Sequence, residues 1–121
     1  MSILTDAHCH FFSTPFFAAL GRSLTGANPD APHDGAIAKL GWEAPGTAEA
    51  LADRWAAELE RAGVSRAALI ASVPGDSASV ASAVRRHPGR FVGFFMVDPT
   101  EKDAVSSAVH AIDRDGLRVQ V

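Results

Sequence analysis

Short apolar segments alternate along this chain with longer segments in which apolar residues recur every three or four positions. The short segments predict four strands, SILTDAHCHFF (2–12), RAALIAS (66–72), RFVGFFMVD (90–98) and LRVQV (117–121). The connections between them are too long for hairpin turns, and the strands are predicted to be apolar on both faces. The alternation therefore predicts an α/β fold, in which helices cover a parallel sheet.

Three of the connecting segments have the spacing of amphipathic helices. The first is capped by Thr47 and ends at Gly63, the second spans 76–87 with Asp76 or Ser77 as its cap, and the third follows a capping box at 100–103. The apolar residues that share one face of each helix are Leu51, Trp55, Leu59 and Ala62 in the first, Val80 and Val84 in the second, and Val105, Ala108, Val109 and Ile112 in the third.

In the segment from Ser13 to Gly46 the apolar residues do not recur at a regular spacing. Glycine and proline interrupt it at positions 21, 26, 29, 32, 35, 41, 45 and 46. We predict a long loop over 13–46, with one short helix around 15–20. This loop is expected to leave the sheet at the end where the first strand stops.

The first strand carries two histidines close to its carboxyl end. Successive side chains of a strand point to opposite faces, so His8 and His10 are predicted on one face with Asp6 behind them, and Ala7 and Cys9 on the other. Neutral imidazoles are good ligands for zinc and related divalent cations, and two at i and i+2 can occupy adjacent coordination positions. A catalytic zinc site needs at least one further protein ligand, and the sequence offers no obvious third.

Composition and charge narrow the range of partners. A chain of 121 residues, with 47% hydrophobic and 21% charged residues, suits a single globular domain. The net charge of −3 and the lack of a dense basic run favour a small-molecule partner over nucleic acid or a membrane surface. A single cysteine excludes an internal disulfide, and the N-terminus lacks the pattern of a signal peptide, so we expect a cytoplasmic protein.

Parallel α/β sheets bind ligands at the carboxyl ends of their strands. This holds whether the sheet is open and doubly wound or closed into a (β/α)8 barrel. A whole barrel typically needs about 250 residues, so a chain of 121 could form only half of one. His8 and His10 follow this rule at the end of the first strand. Ser72 after the second strand and Asp98 after the third are expected at the same rim.

Four segments together resemble the N-terminal half of the amidohydrolase-related superfamily of metal-dependent hydrolases, and within it the branch of aminocarboxymuconate-semialdehyde decarboxylase-like enzymes. They are DAHCHFF (6–12), ELERAGVSRAALIAS (58–72), RHPGRFVGFFMVDP (86–99) and DGLRVQV (115–121). The most specific element is D-x-H-x-H on the first strand. The resemblance implies a TIM barrel with one divalent metal, usually zinc, at its C-terminal rim, and His8 and His10 as two of its ligands.

The resemblance also implies further ligands beyond the first strand. These are a histidine after a later strand, commonly the fifth, and an aspartate after the eighth that also transfers a proton. No position here matches either residue, so the catalytic residues are unknown. We expect 1–121 to be one partial TIM-barrel domain of about four β/α units, either a fragment or a truncated gene product.

The activity that the resemblance implies is hydrolysis of an amide, ester or lactone-like bond in a small molecule by metal-activated water. Decarboxylation within the same superfamily is an alternative that the histidine pair cannot distinguish. A PHP-type phosphoesterase also opens with H-x-H, but it needs more His and Asp at later strand ends. Another alternative is an inactive half-barrel that binds or assembles, completed by a second copy. An open sheet edge with exposed apolar faces leads us to expect association or aggregation.

The remaining conspicuous residues have structural explanations. Asp6 is expected to orient an imidazole or the backbone, and Cys9 to be a small buried residue. Asp98 is expected to end its strand before a Thr100 cap. Ser72 and Asp98 are also candidates for the substrate pocket. Aromatic residues expected to shield the pocket or anchor the loop are Phe11, Phe12, Phe16, Phe17 and Trp42. Histidines expected to be solvated or packed are His33, His87 and His110.

Overall fold

The computed structural model describes residues 3–24 and 28–120, apart from the side chain of residue 120. The elements in these ranges are β1 (Thr5–Phe11), α1 (Thr14–Arg22), α2 (Pro32–Leu40), α3 (Ala48–Arg61), β2 (Arg66–Ala71), α4 (Ser77–Arg86), β3 (Phe91–Met96), α5 (Ala104–Asp113) and β4 (Arg118–Gln120). All four predicted strands and all three predicted amphipathic helices are present. The outer ends of the first and last predicted strands, at positions 2 and 121, lie outside the described residues.

The strands form one parallel sheet in the order β1-β2-β3-β4. Each new strand is added at the same edge, and α3, α4 and α5 pack on the same face of the sheet. The prediction of an α/β fold with a parallel sheet is confirmed. The described strands do not show the reversal of strand order that defines a doubly wound sheet, and they are compatible with half of a β/α barrel.

The helix-covered face contains the main core. Phe11 of β1, Leu69 of β2 and Val80 of α4 are fully buried there, and Phe95 of β3 is almost as enclosed. Gly93 of β3 lies where α4 crosses: a Cβ at this position would be 2.7 Å from Val80 Cγ1 and 2.5 Å from Leu117 Cδ2. The helices therefore approach the sheet as closely as this glycine allows.

The opposite face of the sheet is open within the described part of the chain. Along β3, Phe91, Gly93 and Phe95 are buried, whereas Val92 and Met96 are exposed. Strands β2 and β3 are apolar on both faces, as predicted. β2 is buried on both, since Ala68 and Ile70 are 7% and 3% exposed, whereas β3 is buried only on the side where the three helices pack.

The segment 13–46 is not a long loop. It contains the predicted short helix as α1, capped by the Ser13 hydroxyl, which accepts a hydrogen bond from Phe16 N–H at 3.2 Å. It also contains α2, which was not predicted. Pro32 begins α2 and Gly41, at φ 67°, ends it, so these two residues mark the ends of a helix rather than a loop. Position 26 of this segment lies outside the described residues.

Helix α5 differs from its prediction in its start and in its buried face. It begins after Asp103, and Thr100 instead donates hydrogen bonds to the Asp98 carboxylate. The larger apolar residues Val105, Val109 and Ile112 are exposed, while Ala108 and Ala111 face the sheet, so the smaller side chains make the contact. In residues 3–24 and 28–120 no helix has the length and apolar character needed to span a bilayer.

Candidate metal centre

A β-bulge sets the direction of the side chains at the end of β1. Asp6 pairs with Ala67 and Cys9 pairs with Leu69, so β1 has one residue more than β2 between these pairs. Cys9 and Phe11 belong to the helix-covered core. His8 and His10 are exposed and lie on the open face, just before β1 ends. The prediction that both imidazoles lie at the carboxyl end of the sheet is confirmed.

The two imidazole rings converge. His8 Nε2 and His10 Nε2 are 3.1 Å apart, and the ring centroids are 4.9 Å apart. Because a zinc–imidazole bond is about 2.0–2.1 Å long, two nitrogens at adjacent positions on one ion lie roughly 2.9–3.4 Å apart. The observed separation fits this donor pair. The prediction that His8 and His10 lie on one face is confirmed, and their role as metal ligands stays a prediction.

Ser72 contacts the second of these rings. His10 Nδ1 lies 3.1 Å from Ser72 Oγ, and that hydroxyl donates to the carbonyl oxygen of Ile70 at 3.3 Å. Because the hydroxyl proton is engaged there, we assign to His10 the tautomer whose Nδ1–H donates to Ser72 Oγ. This tautomer leaves the lone pair of His10 on Nε2, the atom that faces His8. The structure thus brings Ser72 to the predicted site and gives it a positioning contact.

Asp6 does not lie behind the histidines. Its pairing partner, Ala67, belongs to the helix-covered core, so the bulge places Asp6 on the opposite side from the imidazoles, and Ala7 on the open face. Asp6 Oδ1 accepts a hydrogen bond from His8 N–H at 2.9 Å. The predicted face of Asp6 is wrong because strict alternation was assumed. Its contact with the backbone matches the structural explanation.

Cys9 lies in the core, as predicted, rather than at the site. Burial, and secondarily the charge of Asp6, raise the pKa of the Cys9 thiol from 9.0 to about 11. A thiol with so high a pKa is protonated near neutral pH, and the thiolate is the nucleophilic form. Cys9 therefore acts as a small apolar residue in this fold.

Asp98 follows β3 at the same end of the sheet but makes local contacts. Its Oδ1 accepts hydrogen bonds from Thr100 Oγ1 at 2.6 Å and from Thr100 N–H at 2.9 Å. These two bonds, the side-chain bond first, lower the pKa of Asp98. The carboxylate orders the turn before α5. It lines a cavity of about 280 Å³ between the starts of α4 and α5.

The histidine pair has no third ligand in the part of the chain that the structure describes. No group of three or more His, Cys, Asp or Glu side chains there is arranged to hold a metal ion. Within the described residues, His8 and His10 thus offer two nitrogens, which alone do not complete a zinc site.

An aromatic cluster borders the site. The Phe12 ring stacks on His10 at a centroid distance of 5.6 Å and an interplanar angle of 2°, and it also contacts Phe16 and Trp42. Phe17 joins the same cluster. Phe11 differs from the other predicted aromatic residues because it points into the core. The cluster joins Phe16 and Phe17 of α1 and Trp42, which follows α2, to the Phe12 ring that stacks on His10.

A buried hydrogen-bond network near the site was missed by the sequence analysis. Ser13 Oγ donates to Asp76 Oδ2, and Ser79 Oγ donates to Asp76 Oδ1 at 2.5 Å. All three side chains are buried. They join the segment after β1 to the segment after β2, which are the segments that follow His10 and Ser72. The sequence signal was Asp76 three residues before Ser79, and Asp76 was interpreted only as a helix cap.

Comparison of the chain with protein-family models, with curated proteins and with solved structures finds no match.

Proposed function

We propose that this chain is the metal-binding half of an amidohydrolase-type β/α barrel, and that it takes part in metal-dependent hydrolysis of a small molecule. The observation that carries the proposal is the 3.1 Å separation of His8 Nε2 and His10 Nε2 at the carboxyl end of a parallel sheet. The D-x-H-x-H motif and the consecutive order of four parallel strands support it.

Each residue of the site has a defined part in the proposal. His8 and His10 supply two neutral nitrogens for a divalent cation, of which zinc suits imidazole ligands well. Ser72 holds His10 in the tautomer whose Nε2 lone pair is free, and Phe12 fixes the plane of the ring. A bound zinc ion supplies Lewis acidity and lowers the pKa of water toward about 7. The bond cleaved is an amide, ester or lactone-like bond.

Zinc titration tests the site directly. Metal-free protein is titrated with zinc by calorimetry, beside a His8→Ala/His10→Ala variant. The matched control is His33→Ala/His110→Ala, which also removes two imidazoles but leaves the pair intact. We expect the wild type and the control to bind zinc with the same stoichiometry, and the first variant to lose this binding. Equal zinc binding by all three proteins would contradict the proposal.

Hydrolysis is tested separately from metal binding. Activated esters, lactones and amides are offered to the zinc-loaded proteins, and product formation is followed with and without a chelator. The expected rate depends on zinc and on His8 and His10, and it is kept by the control variant. If zinc binds but no histidine-dependent hydrolysis is found, the site remains a metal site and the hydrolase assignment is wrong.

A further inference from the structure

We infer that Asp76 is a positioning residue for the histidine pair, and that it acts by holding the segment after β1 to the segment after β2. The bond that does this runs from Ser13 Oγ to Asp76 Oδ2 and is buried. The contact of His10 with Ser72 joins the ends of the same two strands, but it is exposed. The effect on the imidazole is independent of metal, whereas the effect on zinc binding rests on the proposed function.

Asp76 occupies the N-cap position of α4 but uses its carboxylate in another way. An aspartate at this position ordinarily accepts a hydrogen bond from a backbone N–H in the first turn of its helix. Here Oδ1 accepts from Ser79 Oγ at 2.5 Å, and Oδ2 accepts from Ser13 Oγ, 63 positions earlier in the chain. Asp76 and Ser13 are only 4% and 1% exposed. One oxygen of a buried carboxylate is thus used to connect two distant segments.

The surroundings of the carboxylate favour a strong bond. Both oxygens accept, as in an ionised carboxylate, and hydrogen bonds to an ionised group are roughly twice as strong as those between neutral groups. Ser13 and Asp76 hold the N-cap positions of α1 and α4, so the positive ends of two helix dipoles adjoin the carboxylate. Within residues 3–24 and 28–120 Asp76 forms no ion pair. The hydroxyls and helix ends therefore offset the cost of its burial.

The bond lies directly beyond the paired part of the two strands. The parallel pairing of β1 with β2 ends at Phe11 and Ala71. Ser13 N–H donates to the Phe11 carbonyl oxygen at 3.0 Å, so the side chain that reaches Asp76 is fixed to the last paired residue. His10 precedes Phe11. Loss of the bond would therefore free the strand ends next to His10 while the rest of the pairing holds.

The contact between His10 Nδ1 and Ser72 Oγ depends most on the position of these strand ends. Ser72 directly follows β2, and Asp76 is four positions further along the chain. The contact is 3.1 Å long, and hydrogen bonds weaken steeply as their angle is lost, so a small displacement of either strand end would release Nδ1. The proton of His10 could then move to Nε2, the atom that faces His8.

Nitrogen NMR of the imidazoles tests the inference in the metal-free protein. At about pH 8.5, above the ordinary pKa of histidine, the spectra report which nitrogen of each neutral ring carries the proton. The wild type is expected to show His10 protonated on Nδ1. Ser13→Ala breaks the bond between the segments and should return His10 to a mixture of tautomers. Asp76→Ala breaks the same bond but leaves Ser13 to cap α1, and it should act alike.

Ser79→Ala is the matched control. It also removes a buried hydroxyl that donates to Asp76, but Ser79 and Asp76 lie in the same segment, so the connection to Ser13 is kept. Its His10 spectrum should be that of the wild type. On the proposed function, zinc affinity should fall about threefold to tenfold in Ser13→Ala and Asp76→Ala, which is at most the lower end of what is lost with a group that orients a ligand directly. It should not change in Ser79→Ala.

The results for tautomer and zinc separate the two proposals. A wild type in which His10 is not protonated on Nδ1, an unchanged spectrum in Ser13→Ala and Asp76→Ala, or equal changes in all three variants would overturn the positioning role. Loss of the fold in both variants, seen by circular dichroism, would assign the network to stability and overturn it as well. A wild type that binds no zinc rejects the proposed function, and the spectra still decide the role of Asp76.

Discussion

The two faces of the sheet are built in different ways. On the helix-covered face Leu69 and Val80 are fully buried, and Gly93 has no room for a Cβ. On the open face His8, His10 and Val92 are exposed. Packing density is what makes core substitutions costly, so the stability of a single chain depends mainly on the helix-covered face. The exposed residues of the open face contribute less to that stability.

The largest expected effect comes from emptying the covered face. Leu69→Ala removes a fully buried side chain between β2 and the helices, and it should lower the free energy of unfolding by about 2–5 kcal/mol. Val105→Ala is the matched control, because Val105 is 78% exposed, and its cost should stay within about 0.5 kcal/mol. Both are measured by urea unfolding at one protein concentration. Equal losses would contradict the contrast between covered and uncovered positions.

Adding a side-chain atom to the helix-covered face also tests the difference between the two faces. Gly93→Ala introduces a Cβ 2.7 Å from Val80 Cγ1 and should cost about 1–3 kcal/mol in the same unfolding experiment. Gly35→Ala is its control, because a Cβ at Gly35 meets no atom within 4 Å and alanine favours the α2 helix by up to about 1 kcal/mol. An unchanged stability of Gly93→Ala would show that α4 can move away from the sheet at little cost.

Local patterns of the sequence were sufficient for the main elements and for core residues such as Leu59 of α3 and Val80 of α4. Thr47 caps α3 as predicted, and its side chain accepts a hydrogen bond from Ala50 N–H. Val80 packs in the core as its spacing indicates. The position of the histidine pair followed from strand alternation and from the ligand-binding edge of parallel sheets. These features depend on residues close to one another in the chain.

The errors arose where structure depends on contacts between distant segments. The bulge that moves Asp6 to the other face is fixed by the pairing of β1 with β2, and no local residue signals it. Helix α2 packs on α1, where the Pro32 carbonyl leaves Gly21 no room for a Cβ, so glycines and prolines that suggested a loop belong to helices. The network of Ser13 with Asp76 joins residues far apart in sequence.

A smaller effect, on zinc affinity, is expected from substituting Ser72 at the carboxyl end of the sheet. Ser72→Ala removes the hydroxyl that holds His10 Nδ1, so the tautomer and orientation of the ring are no longer fixed. On the proposed function, zinc affinity should fall about tenfold, as for other groups that orient a metal ligand. The unfolding free energy of the metal-free protein should change little, because Ser72 is only partly buried. Calorimetric zinc titration and urea unfolding measure the two quantities. Unchanged zinc affinity would reject the positioning role of Ser72.

The smallest effect is expected at the outer surface of the helical layer, where Asp53 of α3 accepts hydrogen bonds from Arg86 and His87 at the end of α4. The bonds from Arg86, and then from His87, lower the pKa of Asp53 from 3.8 to about 2. Because the carboxylate is favoured in the folded chain, its contribution is complete above the ordinary pKa and is lost as the pH falls from about 4 toward 2. Asp53→Asn should lower Tm by about 2–4 °C near neutral pH and by progressively less below pH 4. Asp113→Asn, at an exposed position of α5, is the control and should leave Tm unchanged. A Tm difference between the wild type and Asp53→Asn that persists undiminished at pH 2 would contradict this prediction. The contact between α3 and α4 would then depend on packing rather than on the charge of Asp53.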